Sequence, residues 1–363
     1  MSKTTATDKS YFKVTFAIGN VHHIQNTRLT KHITSRLTYL TDLGEVRIIQ
    51  IMEHSFGVSK RTVVGFGDDV SAVRLPDGGI AVLKTDMFVG STDLPPGMTM
   101  RQAAWKAVVA NVSDLAAKGI SPMAGLVALG LPRSLNRKEV QEIAKGLSEA
   151  ARSYNFPLIG GDTNESDDLT ISIALFALAN KRSLILRKGA KVHDVVAVTG
   201  EFGSTSAGLK SVLNYGVPWR KLPKPLYEAL YRPRARLKLG LRLATSRTVT
   251  SSIDSSDGLA WSLHQLSESS ELGILIDDIP ISRAARDFAE RHRLRSRDLA
   301  LYGGEEYELV LTIPPEKFPR AYLAAKGNLT RIGFVTERFR GVRMKANGGL
   351  APVKKKGWEH FRS

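Results

Sequence analysis

The stretch MTMRQAAWKAVVANVSDLAAKG, residues 98–119, decides the fold. Its apolar and small residues have helical spacing, and Gly119 is placed to close the helix as a C-cap. Asn111 and Asp114 stand three apart, so they share one face. Ala104, Ala107, Val108, Leu115 and Ala116 flank them. A carboxylate in such company is costly unless it is paired or bound to a metal. Apolar runs on either side read as strands: IAVLKTD (80–86) before the helix and MAGLVALGLP (123–132), expected to be buried, after it. NRKEVQEIAKGLSEAARSYN (136–155) reads as an amphipathic helix capped by Asn136. PLIGGDT (157–163) and DLTISIALFALAN (168–180) read as further strands.

The run 181–194 reads as a boundary. After it come strand, glycine-rich turn and helix (195–216), then a helix broken at Pro233 (225–245), a helix (257–271) and strands at 271–281 and 307–314. Strands and helices alternate in both halves. The expected fold is therefore mixed α/β (α+β), with one domain at 43–180 and a second at 181–363. GEVRIIQIM (44–52) suits a short helix. Residues 1–42 are rich in Thr and Ser and poor in acid, and are expected to form a mobile extension.

The chain has 363 residues and no cysteine. Disulfides, Cys-ligated zinc, iron–sulfur clusters and thiol nucleophiles are thereby excluded. This composition fits a reducing compartment such as the cytoplasm, and no apolar run approaches the roughly 20 residues of a membrane span. The net charge of +17 is unevenly placed: residues 52–180 hold 12 Lys+Arg against 14 Asp+Glu, and residues 181–247 hold 15 against 3. The basic belt reads either as a solvated surface or as an attractor of a phosphorylated substrate or nucleic acid.

The near-neutral half gathers acids beside glycine and hydroxyl residues. GFGDDVSAV (65–73), LKTDMF (83–88), NVSDLAAKG (111–119) and IGGDTNES (159–166) share this pattern with IDSSDGLA (253–260) in the second half. One such acid is ordinarily a cap, a role open to Asp257. Five at the ends of separate elements point to convergence, and like charges that converge need cations. Oxygen donors without Cys or a His cluster favour Mg²⁺, which bridges carboxylates to substrate phosphates. Neighbouring glycines let backbone N–H groups approach phosphate. No Walker loop, dinucleotide fingerprint or protein-kinase motif set is present, so an ATP site here has another design.

Those motifs, with RKGAKVHDVVAVTG (187–200) and YGGEEYELVLT (302–312), occur in an order that resembles thiamine-monophosphate kinase, in the superfamily of aminoimidazole ribonucleotide synthetase and selenophosphate synthetase. The resemblance runs from about Leu43 to Phe361. It implies ATP-dependent, in-line phosphorylation of thiamine monophosphate with several Mg²⁺ ions, and a homodimer paired through its N-terminal sheets with nucleotide near the interface. The implied metal positions are Asp69, Asp86, Asp114, Asp162, Asp254 and Asp257, with Thr85 a further contact and Asp114 and Asp257 the catalytic pair. Gly161, Asp162, Arg187 and Ser256 fall on nucleotide positions, and Glu305 and Trp358 on substrate positions. Three residues depart from the pattern: Asp93 stands where many members have a substrate-contacting His, Glu306 replaces the Asp of GGEDYEL, and Ser262 replaces an Asp.

Four residues keep two readings. Arg187 is a phosphate contact or part of the surface belt. Trp358 stacks on a pyrimidine or packs the C-terminus. Glu305 binds substrate or closes a turn. Lys106 reaches phosphate or is solvated. Neither a membrane nor a nucleic-acid partner is expected.

Overall fold

The computed structural model describes residues 40–57, 59–179, 184–346 and 348–359. Most of the expected extension, residues 181–183 of the expected boundary, and Phe361 lie outside them. Helix α1 (Leu40–Ser55) begins earlier than the expected 44–52 and kinks at Gly44, where φ is 70°. The chain continues through β1 (Thr62–Val64), β2 (Ser71–Arg74), β3 (Ile80–Val89), a single turn α2 (Gly90–Asp93), α3 (Met100–Lys118), β4 (Ala124–Leu131), α4 (Arg137–Ser153), β5 (Leu158–Glu165) and β6 (Thr170–Ala179). These strands form one sheet in the order β1-β2-β3-β6-β4-β5, antiparallel except for β4 with β5.

The second half runs β7 (Val195–Val198), α5 (Ser204–Leu213), α6 (Lys224–Tyr231), α7 (Leu237–Ser246), β8 (Ser251–Asp254), α8 (Leu259–Ser270), β9 (Gly273–Ile276), α9 (Arg283–Arg291), α10 (Ser296–Tyr302), β10 (Leu309–Ile313), α11 (Phe318–Ala324), β11 (Thr330–Thr336), β12 (Gly341–Ala346) and β13 (Gly349–Pro352). Its strands form a second sheet, ordered β13-β12-β9-β11-β7-β10-β8. The mixed α/β reading holds. The break at Pro233 falls between α6 and α7, as the sequence indicates.

Helix α3 joins the two sheets. Thr99 and Gln102 form a capping box at its start, and Gly119 ends it in the left-handed region, with φ 68°. It is buried on nearly every side, packing against β3 and β6 of the first sheet and β8 and β10 of the second. Val108, Val112 and Leu115 are fully enclosed, each contributing roughly 1.5–3 kcal/mol. Helix α7 crosses so closely that a Cβ at Gly240 would lie 2.0 Å from the Ala116 carbonyl oxygen, so only glycine fits.

The first sheet has two unlike faces. Ile171, Ile173 and Leu175 of β6 point inward, while Phe176 and Leu178 point out. Leu83, Met87 and Leu126 continue that outer apolar face. The expectation of a buried β4 is therefore corrected: its alternate residues Leu126 and Ala128 are exposed, because no described layer covers that face. Among the described residues no helix is long and apolar enough to cross a membrane.

Candidate active site

Four elements bring acids to the inner face. Asp69 follows the Gly65–Phe66–Gly67 turn, Asp86 lies on β3, Asp114 on α3, and Asp254 ends β8. Carboxylate oxygens of Asp69, Asp114 and Asp254 all lie within 4.8 Å of one another, and all three residues are buried. Asp86 points inward beside its β6 partner Ile173. Helix α8 starts at Gly258 without a side-chain cap, which corrects the capping role considered for Asp257.

Three cations hold the cluster. Lys84 shares the inner face of β3 with Asp86; its Nζ lies 2.5 Å from Asp114 and 3.1 Å from Asp86. Lys118, one turn beyond Asp114, lies 2.7 Å from both Asp68 and Asp69 and donates to the Ser252 carbonyl at 2.8 Å. Arg187 donates from Nε to Asp69 at 2.7 Å, pairs through Nη2 with the same oxygen, and reaches Gln265. Its surface reading is thereby corrected. Hydroxyls finish the support: Ser113 and Ser256 donate to the two Asp254 oxygens at 2.6 and 3.0 Å. Ser262, the departure after SDGL, donates to the Asp254 carbonyl at 2.7 Å.

The charge balance splits the acids into two groups. Burial works to raise the pKa of Asp69, but Lys118 and Arg187 outweigh it and hold the group below the usual range. Burial raises Asp114 well above that range, with Asp254, Asp86 and Asp69 adding to the effect against Lys84. Burial and Asp69 push Asp254 up to about 6. Burial, Asp254 and Glu45 of α1 push Asp257 up to about 7. Such acids are short of positive charge. Asp69 Oδ2 has an ammonium nearby but no aligned hydrogen-bond donor, and Asn111 Oδ1 is buried without one. Oxygen donors alone, close-set and partly unsatisfied, fit a hard divalent cation such as Mg²⁺.

A second group adjoins the acids. Lys106 is only 4% exposed, so it is neither solvated nor loosely held. It pairs with Glu305 at 2.5 Å and donates to the Asp93 carbonyl at 3.0 Å. The Asp93 carboxylate accepts the Val89 N–H at 2.7 Å and so closes α2. Glu305 sits in the left-handed region (φ 63°), with its N–H donating to the Ser256 carbonyl at 2.6 Å. Glu306 turns the other way and accepts from Gly203 N–H and Thr205 N–H at the start of α5. Burial raises it to about 7, against the pull of those bonds. The Trp358 N–H donates to the Asp257 carbonyl at 3.0 Å, which brings the C-terminal segment to the acids; its ring is half exposed.

Two positions stand apart. Thr85 pairs with Ala174 and Asp162 with Ala128, both on the outer face of the first sheet. Gly161 lies in the row of Asp86 on edge strand β5, three strands away, or about 14 Å. Glycine is required there because a Cβ would lie 1.7 Å from the Val127 carbonyl oxygen. The chain alone does not bring Thr85 or Asp162 to the inner acids. Sequence reasoning also missed Lys84 and Lys118, although Lys84 carries a signal: it alternates in phase with Asp86.

Residues 67–179 match the family described as AIR synthase related protein, N-terminal domain. The chain is 35% identical over 326 residues to the thiamine-monophosphate kinase of Nitrosopumilus maritimus, covering 89% of this chain and 100% of that one. It is 34% identical to the thiamine-monophosphate kinase of Pyrococcus horikoshii, covering 89% and 98%. Among solved structures, AaThiL complexed with AMPPCP and TMP superposes with a TM-score of 0.78 at 28% identity, covering 89% of this chain and 99% of that one.

Proposed function

The chain belongs to the thiamine-monophosphate kinase family and phosphorylates thiamine monophosphate at the expense of ATP; we propose that the inner acidic cluster is where it does so. The observation that carries this reading is the convergence of Asp69, Asp114 and Asp254 from three separate elements. Asp69, Asp114 and Asp254 would hold Mg²⁺, with Asp86 and Asp257 flanking it. Bound Mg²⁺ would neutralise donor and acceptor phosphates and so offset the repulsion between them.

The rest of the work is positioning. The acceptor is a phosphate oxygen already ionised near neutral pH, so no strong general base is required. The acids act through placement and charge, and α3 carries Asp114, buried, between both sheets. Arg187 lies beside Asp69, where its guanidinium would turn to an incoming phosphate as an ion takes over Asp69, and Ser256 lies against Asp254. Lys106 fixes Glu305 against the α2 turn, where that carboxylate would receive the cationic thiamine moiety. Trp358 offers a ring close by. Asp93 serves this site mainly by holding the α2 turn.

We further propose that the outer apolar face of the first sheet is covered by a second copy of the chain, which accounts for Thr85, Gly161 and Asp162 lying on that side or edge. The test of the site is Asp114→Asn, which keeps the shape of the side chain. Product formation from ATP, Mg²⁺ and thiamine monophosphate should fall by roughly a thousandfold with an unchanged circular dichroism spectrum. Undiminished turnover would remove the acidic cluster from the mechanism.

A further inference from the structure

Lys84 is the cation that the structure sets against Asp86 and Asp114, whereas Lys118 and Arg187 are set against Asp68 and Asp69. Its side chain is 13% exposed, and its Nζ reaches an oxygen of each acid from the inner face of β3. A divalent ion bridging a β3 carboxylate to an α3 carboxylate would need the same place. The two cations are therefore alternatives there. The ammonium is tethered and already enclosed, so it loses no translational freedom on arrival. Mg²⁺ must come from solution and gives up its water reluctantly.

We propose that the Lys84 ammonium is a resident cation of the cluster, occupying between Asp86 and Asp114 the position of one divalent ion and thereby setting how many ions this enzyme takes up with its nucleotide. This rests on the reading of the cluster as the metal–nucleotide site. Lys84 acts as a positioning residue: it fixes one oxygen each of Asp86 and Asp114, and an ion that enters would settle on Asp69, Asp254 and the other oxygen of Asp114, with Asp257 beside it.

The experiment counts Mn²⁺ retained per chain by electron paramagnetic resonance, with the full chain at pH 8 and saturating AMPPCP. Lys84→Met should retain one more Mn²⁺ than the wild type, whereas Lys84→Arg should retain the wild-type number. If Lys84→Met does not fold, Lys84→Gln carries the same expectation. An unchanged or smaller count in the uncharged variants, with the wild type binding normally, overturns the proposal. A wild type that retains no Mn²⁺ overturns the reading of the cluster itself, and this inference with it.

Discussion

Replacing Asp254 by Asn should make the metal-free protein more stable while it removes activity. Asp254 is 2% exposed, and burial, with Asp69 beside it, moves its pKa from 3.8 to about 6. The sign follows from linkage: the folded chain holds this proton more tightly than the unfolded one. Its stabilising contribution is complete below pH 3.8 and is lost as pH rises through about 6. At pH 8 the ionised side chain costs about 3 kcal/mol, at about 1.36 kcal/mol for each pH unit between 3.8 and about 6. At pH 4 it costs under about 1 kcal/mol by the same relation. Asparagine keeps an acceptor for Ser113 but loses one charge-assisted bond, worth about 1.5 kcal/mol. The net expectation at pH 8 is a gain of about 1.5 kcal/mol, or roughly 3 °C in Tm. Urea unfolding of both proteins with a chelator, at pH 8 and pH 4, measures it. A variant less stable than wild type at pH 8, or a difference that does not shrink toward pH 4, would refute the reasoning.

Lys106→Met should raise KM for thiamine monophosphate about tenfold, the effect of roughly 1.4 kcal/mol from one charge-assisted contact, and leave KM for ATP unchanged. Steady-state kinetics in each substrate separates the two, and an equal rise in both refutes the placement of thiamine beside Glu305. Arg236→Met strips the buried Glu308 of its paired guanidinium. Because Arg236 is 41% exposed, the cost is discounted to roughly 2–3 kcal/mol, read from the urea midpoint. The double substitution Leu126→Asp with Phe176→Asp charges the outer face of the first sheet and should sediment as a monomer in analytical ultracentrifugation, where the wild type should sediment as a dimer; a monomeric wild type refutes the proposed pairing.

The alternation of elements was legible because long periodic segments announce themselves, as α3 and α4 do. Asp114 was legible for a related reason: an acid among alanines and valines has no cheap place in a core. Strand β8 was not, since its four residues, Ser251–Asp254, carry two serines and no alternation. It becomes a strand because β10 pairs with it. Lys84 and Lys118 were hidden because lysine ordinarily marks a surface, and only the acids arriving from distant elements make burial tolerable. Asp93 and Glu306 show the converse. Each stands at a position that the resemblance links to substrate or to an acidic motif, yet each spends a carboxylate oxygen on backbone N–H groups, a local use that residue type alone does not reveal.

The placement of α3 between the two sheets has a mechanical consequence. Asp69 lies on the loop joining β1 to β2 of one sheet and Asp86 on its β3, Asp254 ends a strand of the other, and Asp114 is on the helix between them. An ion gripped by this set would act as a rivet through three layers. Slippage between the layers would loosen it, and after its departure they would be joined by Lys84, Lys118, Arg187 and the packing around one rod. Rigidity and cargo are thus tied in this enzyme: it should be stiffest when loaded and slackest after release.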